Sequence, residues 1–242
     1  MADRNGLVVM KNAVLGEMLS TGRVVGSDGA SVPLESGISL ESAEALYGVV
    51  MGVRARVVLE VGMACGVSSL AILTALRDLG EDGRLISIDP HQSTHWRRCG
   101  VTAVERAGLG ERHRLIEEAS QLALPRLLAE RTTAQVAYID GWHTFDYAFI
   151  DFWYADRMLA VGGVVGFNDC GLPSIEKVIR FVLSHRKYQE IQVGPLVKYT
   201  GGGNRLQTIL PRSIRPSSRQ SQDRYFEKRE DWEPPWNFYA TF

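Results

Sequence analysis

Three side chains that could move a proton or hold a cation follow two apolar segments of the chain. Asp140 ends the segment Gln135–Asp140, His143 comes three residues later, and Asp169 follows Val161–Phe167. Both segments have the composition of buried parallel strands. Because the carboxyl ends of parallel strands reach one edge of an open sheet, we expect the three side chains to converge there.

The residue types suggest two kinds of chemistry at that edge. Two carboxylates, Asp140 and Asp169, facing one cavity suit a hard divalent cation, usually Mg²⁺, which would lower the pKa of a bound hydroxyl. An imidazole beside them, His143, can take a proton as a general base. Residue types alone leave an alternative open, in which both carboxylates cap turns and His143 is a hydrogen-bonded loop histidine.

A glycine-rich turn follows the strand candidate Arg56–Val61. Gly62 and Gly66 lie four residues apart, and a helix begins near Val67. Glycines permit a tight turn and let backbone N–H groups at a helix N-terminus approach an anionic ligand. The spacing differs from the G-x-G-x-x-G pattern of dinucleotide sites, so it disfavours NAD. A turn that only packs the helix, with no ligand, is the alternative.

Two acidic residues accompany this turn. Glu60 lies within an apolar strand, where a buried carboxylate normally needs a partner. Asp89 ends the next strand and can accept hydrogen bonds from both hydroxyls of a ribose, as any nucleoside cofactor would require. Asp89 alone is therefore unspecific, and it could equally be a turn residue before Pro90.

The elements that must position these residues alternate along the chain. Short β-branched segments and amphipathic helical segments take turns between residues 56 and 210, which is typical of βαβ units. We predict an α/β fold, a Rossmann-like seven-stranded mostly parallel sheet with helices on both faces. The predicted strands are Arg56–Val61, Arg84–Asp89, Arg112–Ile116, Gln135–Asp140, Val161–Phe167, Tyr188–Val193 and Leu206–Leu210.

Two further regions flank the predicted core at 56–210. In region 1–55, Ser39 should cap a helix that borders the substrate pocket, and residues 22–37 read as a loop. Region 211–242 ends in the aromatic segment Trp232–Phe242, which must be covered. We expect it to dock on the core, over the pocket for the small-molecule substrate, or on a second subunit. We also predict a homodimer.

Composition excludes several classes of partner. The 242 residues include 27 Lys and Arg against 28 Asp and Glu, a net charge of -1, so no basic field attracts nucleic acid. No apolar run approaches the roughly 20 residues of a membrane span. Cys65, Cys99 and Cys170 lack the pairing of a disulfide framework. We expect a cytoplasmic protein whose partner is a small molecule.

Two segments resemble one enzyme family. Leu59–Ser69 resembles motif I of class I methyltransferases, especially catechol O-methyltransferase and its bacterial relatives, and Glu118–Leu127 resembles the segment beside their adenine. Over about residues 55–185 the resemblance implies the class I methyltransferase fold and S-adenosylmethionine as cofactor. The cofactor residues that we predict are Gly62 and Gly66 at the methionine end, Ser68 at its carboxylate, Asp89 at the ribose, Ala119, Ser120 and Gln121 near the adenine, and Glu60 and Asp140.

The segments that contain Asp140, His143 and Asp169 can be compared with the same and related families. Ile139–His143 is similar to the Ile-Asp-Gly-x-His pattern of bacterial sugar and macrolide-glycoside O-methyltransferases. The catechol family has Asp-Asn after the next strand, whereas this chain has Asn168, Asp169 and Cys170. The third metal ligand is thus displaced, and Asn168 or water would complete a Mg²⁺ site with Asp140 and Asp169, since Cys170 is a poor ligand for a hard cation.

The resemblance implies methyl transfer to a hydroxyl group of a small molecule. We expect a sugar or glycoside ahead of a catechol or other phenol, because His143 replaces the basic residue of the catechol enzyme and aromatic side chains can stack on sugars. Trp142 could wall the acceptor pocket. The alternatives are an NAD-dependent oxidoreductase and a binding module with a methyltransferase fold but no turnover.

Overall fold

The computed structural model of the protein describes residues 11–80, 82–193 and 222–242. Its first elements are α1 (Ala13–Thr21), β1 (Arg23–Val25), β2 (Ser31–Pro33) and α2 (Leu40–Val53). The Ser39 hydroxyl accepts a hydrogen bond from the backbone N–H of Ser42, which confirms the predicted cap of α2. The prediction of a loop over residues 22–37 is wrong in part, because β1 and β2 pair there as an antiparallel hairpin.

A seven-stranded sheet forms the centre of the molecule. Its order is β5-β4-β3-β6-β7-β9-β8, and β9 alone runs in the opposite direction to the other six strands. The predicted Rossmann-like, mostly parallel sheet is therefore confirmed. The strands are β3 (Val57–Val61), β4 (Arg84–Ile88), β5 (His113–Ile116), β6 (Ala134–Ile139), β7 (Leu159–Phe167), β8 (Tyr188–Ile191) and β9 (Arg224–Lys228).

Helices cover both faces of this sheet. Val58 packs into one hydrophobic cluster with α1–α4, while its neighbours Leu59 and Val61 pack into a second cluster with α5–α7. Burial on both faces explains why β3 is apolar except for Glu60 instead of alternating. None of the helices in the described ranges is long and apolar enough to cross a membrane. The remaining helices are α3 (Val67–Asp78), α4 (Cys99–Arg106), α5 (Ser120–Ala129), α6 (Phe145–Met158) and α7 (Pro173–His185).

The sheet contains a strand that the sequence did not predict. β9 (Arg224–Lys228) lies between β7 and β8, within the region 211–242 that we interpreted only as a docking segment. That interpretation is incomplete, because this region supplies part of the central sheet. The strand candidate Leu206–Leu210 lies outside the described residues.

The aromatic segment after β9 packs along α7. The ring of Phe242 lies 5.3 Å from that of Phe181, and the ring of Phe238 lies 5.4 Å from that of His185. No residue of Trp232–Phe242 lines the large cavity at the strand ends. In this structure the segment therefore docks on its own core and not over the predicted acceptor pocket.

Candidate functional site

A cavity of about 1160 Å³ opens at the carboxyl ends of β3, β4 and β6. In the sheet, β3 has β4 on one side and β6 on the other. The cavity therefore lies at the point where the strand order reverses. Ligands of open α/β sheets bind at such points. The predicted residues on its wall are Gly62, Ser68, Asp89, Ala119, Ser120, Gln121, Asp140, Trp142 and His143.

The glycine turn, which contains Gly62 and Gly66, lies at the base of the cavity. Gly62 has φ +90°, and a Cβ added there would lie 2.0 Å from the carbonyl oxygen of Asp140. Gly66 has φ +87°, occupies the N-cap of α3 and makes no side-chain cap. The first N–H groups of α3 therefore have no capping side chain, and Ser68 lies beside them on the cavity wall. An anionic group is favoured at this helix end.

Asp89 binds the glycine turn itself. One oxygen, Oδ2, accepts hydrogen bonds from the backbone N–H groups of Met63 at 3.1 Å and Ala64 at 2.8 Å, and from Nε2 of Gln92 at 3.1 Å. The other oxygen accepts from the N–H of His91 at 2.8 Å. A carboxylate offers about four acceptor positions. Asp89 thus positions the turn, and a ribose hydroxyl would have to replace one of these donors.

Glu60 lies beneath the cavity and does not line it. Its Oε2 accepts hydrogen bonds at 2.6 Å from the hydroxyls of both Ser69 and Ser87, and the side chain is fully buried. Burial raises the pKa of Glu60 to about 7, although the three serine hydroxyls near it oppose the rise. The structure therefore places Glu60 under the start of α3, where it can act on a ligand only through other residues.

The wall of the cavity also includes residues outside the predicted site set. His91, His95 and Trp96 line it, as do Ser36 and Ile38 just before α2. All three of the first group follow Asp89 within seven residues, and proximity to that strand end is the sequence signal that marks such residues. Helix α2 itself, which we expected to border the pocket, contributes no lining residue.

His143 lies between two carboxylates. Its Nε2 is 3.3 Å from Oδ1 of Asp140, and its Nδ1 is 3.2 Å from Oδ2 of Asp169. The hydroxyl of Ser174, at the start of α7, donates to the carbonyl oxygen of His143 at 2.6 Å and holds the segment after β6 in place. Asp169 adopts φ +52°, which an L-residue rarely does, and Nε2 of Gln222 donates to its Oδ1 at 3.3 Å. Neither Ser174 nor Gln222 was predicted.

The three groups perturb one another electrostatically. The hydrogen bond with Asp140 raises the pKa of His143, partial burial opposes the rise, and the charges of Asp140 and Asp169 add to it. Burial raises the pKa of Asp140 to about 6, and His143 opposes that rise. The Asp140 side chain is 15% exposed and that of Asp169 is 38% exposed. Asp140 is thus the more protected partner of the imidazole.

The residues as arranged do not fit the predicted Mg²⁺ site. The imidazole of His143 contacts both carboxylates, Asp140 and Asp169, that were to share the cation. The Asn168 side chain is buried, and its Nδ2 donates to Oδ1 of Asp223 at 2.7 Å. Within the ranges that the structure describes, no three His, Cys, Asp or Glu side chains form a metal-binding group. The magnesium hypothesis therefore gains no support from this donor set.

The fold matches the class I methyltransferase architecture, an open seven-stranded sheet with helices on both faces, and the cavity lies at its switch point. Residues 59–170 match a family model described as a methyltransferase domain. This segment contains the glycine turn, Asp89 and the start of α5. It also contains Asp140, His143 and Asp169. That segment of the chain is therefore similar to a methyltransferase domain. No curated protein sequence matches the chain.

Solved structures share this fold at low sequence identity. An O-methyltransferase from Bacillus cereus in complex with SAH is 17% identical, with TM-score 0.61, over 74% of this chain and 83% of its own. The O-methyltransferase TomG from Streptomyces achromogenes, involved in tomaymycin synthesis and in complex with SAM, is 18% identical with TM-score 0.59, over 95% and 92%. The SAH-bound methyltransferase PaMTH1 from Podospora anserina is 14% identical with TM-score 0.63, over 90% and 88%. At these identities the likeness establishes the fold.

Proposed function

We propose that the protein transfers a methyl group from S-adenosylmethionine to a hydroxyl group of a small molecule, with His143 as the general base. The observation that carries the proposal is the position of the His143 imidazole, between Asp140 and Asp169 on the wall of the large cavity. The similarity of residues 59–170 to a methyltransferase domain and neighbours solved with SAM or SAH support the cofactor. The cavity has room for a nucleoside and an acceptor together.

The proposed step moves one proton and one methyl group. The hydroxyl oxygen attacks the methyl carbon, the carbon–sulfur bond breaks, and its electron pair stays on sulfur, giving S-adenosylhomocysteine. In the proposed step His143 has the tautomer with the proton on Nε2, and Asp140, whose side chain is 15% exposed, accepts from Nε2–H and orients the ring. The acceptor hydroxyl takes the place of the more exposed Asp169 at Nδ1, which then receives the proton. Magnesium has no part in the proposal, because the donor set does not fit it.

A sugar or glycoside is the acceptor class that we propose. Trp142 lies on the cavity wall one residue before His143, and 64% of its surface is exposed. An exposed indole beside the base can stack on the apolar face of a sugar ring and present one of its hydroxyls. A catechol or other phenol could stack on the same ring and is the alternative acceptor.

The cofactor and the acceptor can be tested in sequence. We expect S-adenosylhomocysteine at 100 times its Kd to stabilise the protein by about 2.7 kcal/mol, while NAD leaves the unfolding midpoint unchanged. Labelled S-adenosylmethionine should then label glycosides with a free hydroxyl but not their fully methylated forms. Labelling of catechols alone would reject the sugar preference. Binding of the cofactor without labelling of any acceptor would favour a binding module.

A second expectation concerns the pH dependence of kcat/KM. The base must be neutral, and Asp140 raises the pKa of His143, so activity is lost as the pH falls through that raised pKa. Asp140→Asn removes the largest cause and should move this acid limb to lower pH. Asp169→Asn removes only the smallest cause and is the matched control, with a smaller shift in the same direction. Equal shifts, or an upward shift, would contradict this assignment of the base.

A further inference from the structure

Two buried thiols lie in contact beside the cavity. Cys65 belongs to the glycine turn, and Cys99 is the first residue of α4. Their sulfur atoms are 3.4 Å apart, and the thiol of Cys99 donates to the sulfur of Cys65. Both are free cysteines, with 3% of Cys65 and 1% of Cys99 exposed. The two residues are 34 positions apart in the chain, so only the fold brings them together. Neither thiol has a part in the proposed methyl transfer.

The backbones that carry the two cysteines also touch. A Cβ added to Gly66 would lie 2.9 Å from the Cα of Gly100, and one added to Gly100 would lie 2.7 Å from the carbonyl oxygen of Ala64. Each of these glycines directly follows a cysteine. The absence of a side chain at both positions lets the glycine turn and the start of α4 approach this closely. Neither backbone can therefore move toward the other.

The two sulfur atoms are near bonding distance. A disulfide bond is about 2.05 Å long, so the sulfurs would have to approach by about 1.4 Å. Rotation of the two side chains can supply part of this approach. Because the backbones already touch, the rest must come from a change in the shape of the glycine turn. Met63 and Ala64 of that turn line the cavity, so a disulfide would alter the wall that faces the ligand.

The hydrogen bond between the thiols favours Cys65 as the first to react. It lowers the pKa of Cys65, although burial opposes that change, and a thiolate is the form that attacks an oxidant. Hydrogen peroxide is small enough to enter the cavity, whose wall includes the neighbouring Ala64. Attack by Cys65 breaks the O–O bond, gives a sulfenic acid and releases one water. The Cys99 sulfur then displaces a second water from that sulfenic acid and forms the S–S bond.

We propose that Cys65 and Cys99 are a redox-sensitive pair, in which a peroxide closes a disulfide that distorts the glycine turn and weakens binding of the nucleoside cofactor. Across the two steps, the thiols lose two electrons and two protons, and the peroxide is reduced to two waters. Formation of the disulfide is independent of the proposed function, whereas its effect on the cofactor rests on it. Since oxidation and binding are coupled, the cofactor must in turn favour the dithiol.

Mass spectrometry after treatment with hydrogen peroxide tests the bond itself. We expect the mass of the protein to fall by about 2 Da, with tryptic peptides 57–77 and 99–106 linked and Cys170 left as the free thiol. Cys170→Ser is the matched control and should form the same bond. Cys99→Ser should leave a sulfenic acid on Cys65, which a 1,3-dione traps. Bonds between molecules, or oxygen atoms added to Cys65 of the wild type without a link to Cys99, would overturn the inference.

Calorimetry with S-adenosylhomocysteine tests the consequence. We expect oxidation to raise its Kd about tenfold and dithiothreitol to restore the original value. The same tenfold coupling should make the midpoint potential of the pair about 30 mV more positive when the ligand is saturating. The Kd of Cys170→Ser should respond to peroxide as the wild type does, and that of the double variant Cys65→Ser/Cys99→Ser should not respond.

The possible results separate this inference from the proposed function. A disulfide that leaves the Kd and the midpoint potential unchanged overturns the inference. Failure of the reduced wild type to bind S-adenosylhomocysteine would instead overturn the proposed function, while the mass measurement would still decide whether the bond forms. The measurements on the wild type need no substitution, so they test the inference even if serine at a buried position prevents folding.

Discussion

Replacing His143 with alanine is expected to lower kcat by about 100-fold or more and to change the Kd for S-adenosylhomocysteine by less than about threefold. The imidazole lies on the cavity wall in contact with two carboxylates, Asp140 and Asp169, and its neutral form can accept the proton of the hydroxyl. Without it the hydroxyl must transfer its proton to water. Single-turnover rates with labelled S-adenosylmethionine measure the loss directly.

The control is the same substitution in a histidine that does not line the cavity. His185→Ala lies at the end of α7 against the aromatic segment and should leave kcat within about twofold of wild type. Added imidazole should restore part of the activity of His143→Ala, because the space left between the carboxylates admits a free base. A large rise in Kd, or an unchanged kcat, would contradict the role of His143 and indicate a structural one.

The predictable part of this fold consists of strands whose local sequence agrees with their final environment. β3 and β6 are almost wholly apolar because helices bury both of their faces, and such segments are recognisable without any tertiary information. The glycine turn after β3 was recognisable for a related reason, since few residues other than glycine adopt its positive φ values.

β9 was not predicted because its residue types do not indicate a strand inside the central sheet. Three of its five residues are charged, and the last, Lys228, has a buried ammonium group that donates to the carbonyl oxygens of Asp156 at 2.6 Å and Leu159 at 3.1 Å. Those partners lie about seventy residues earlier in the chain. A central strand with a charged end looks like a solvated segment until its partners are known.

The site likewise contains residues that the local sequence could place and residues whose hydrogen-bond partners lie far away in the chain. The positions of Asp140 and His143 after a parallel strand were sufficient to place them at the cavity, because topology alone fixes that edge. The partners of Asp89 and Asn168 could not be foreseen. Asp89 is tied to backbone groups about 25 residues away, and Asn168 is tied to Asp223, which lies 55 residues away in the region that we treated as a tail.

Gly62→Ala is expected to destabilise the protein by about 4 kcal/mol or more, an unusually large effect for adding one methyl group. The backbone at Gly62 has φ +90°, and the new Cβ would lie 2.0 Å from the carbonyl oxygen of Asp140 and 2.6 Å from its carbon. Both atoms belong to backbone, so no side-chain rotation can relieve the clash. The glycine turn and the end of β6 would have to separate.

A matched variant isolates that clash from the cost of a positive φ alone. Gly22 has φ +64° with nothing within 4 Å of an added Cβ, so Gly22→Ala should cost only about 1 to 2 kcal/mol. Urea unfolding of both variants measures the difference. Because Asp140 orients His143, any Gly62→Ala protein that folds should also lose most of its kcat, while Gly22→Ala keeps it. Equal destabilisation by the two substitutions would mean that the glycine turn does not approach the backbone of Asp140 closely. Contact with that turn would then not be what positions Asp140 and His143 at the end of β6.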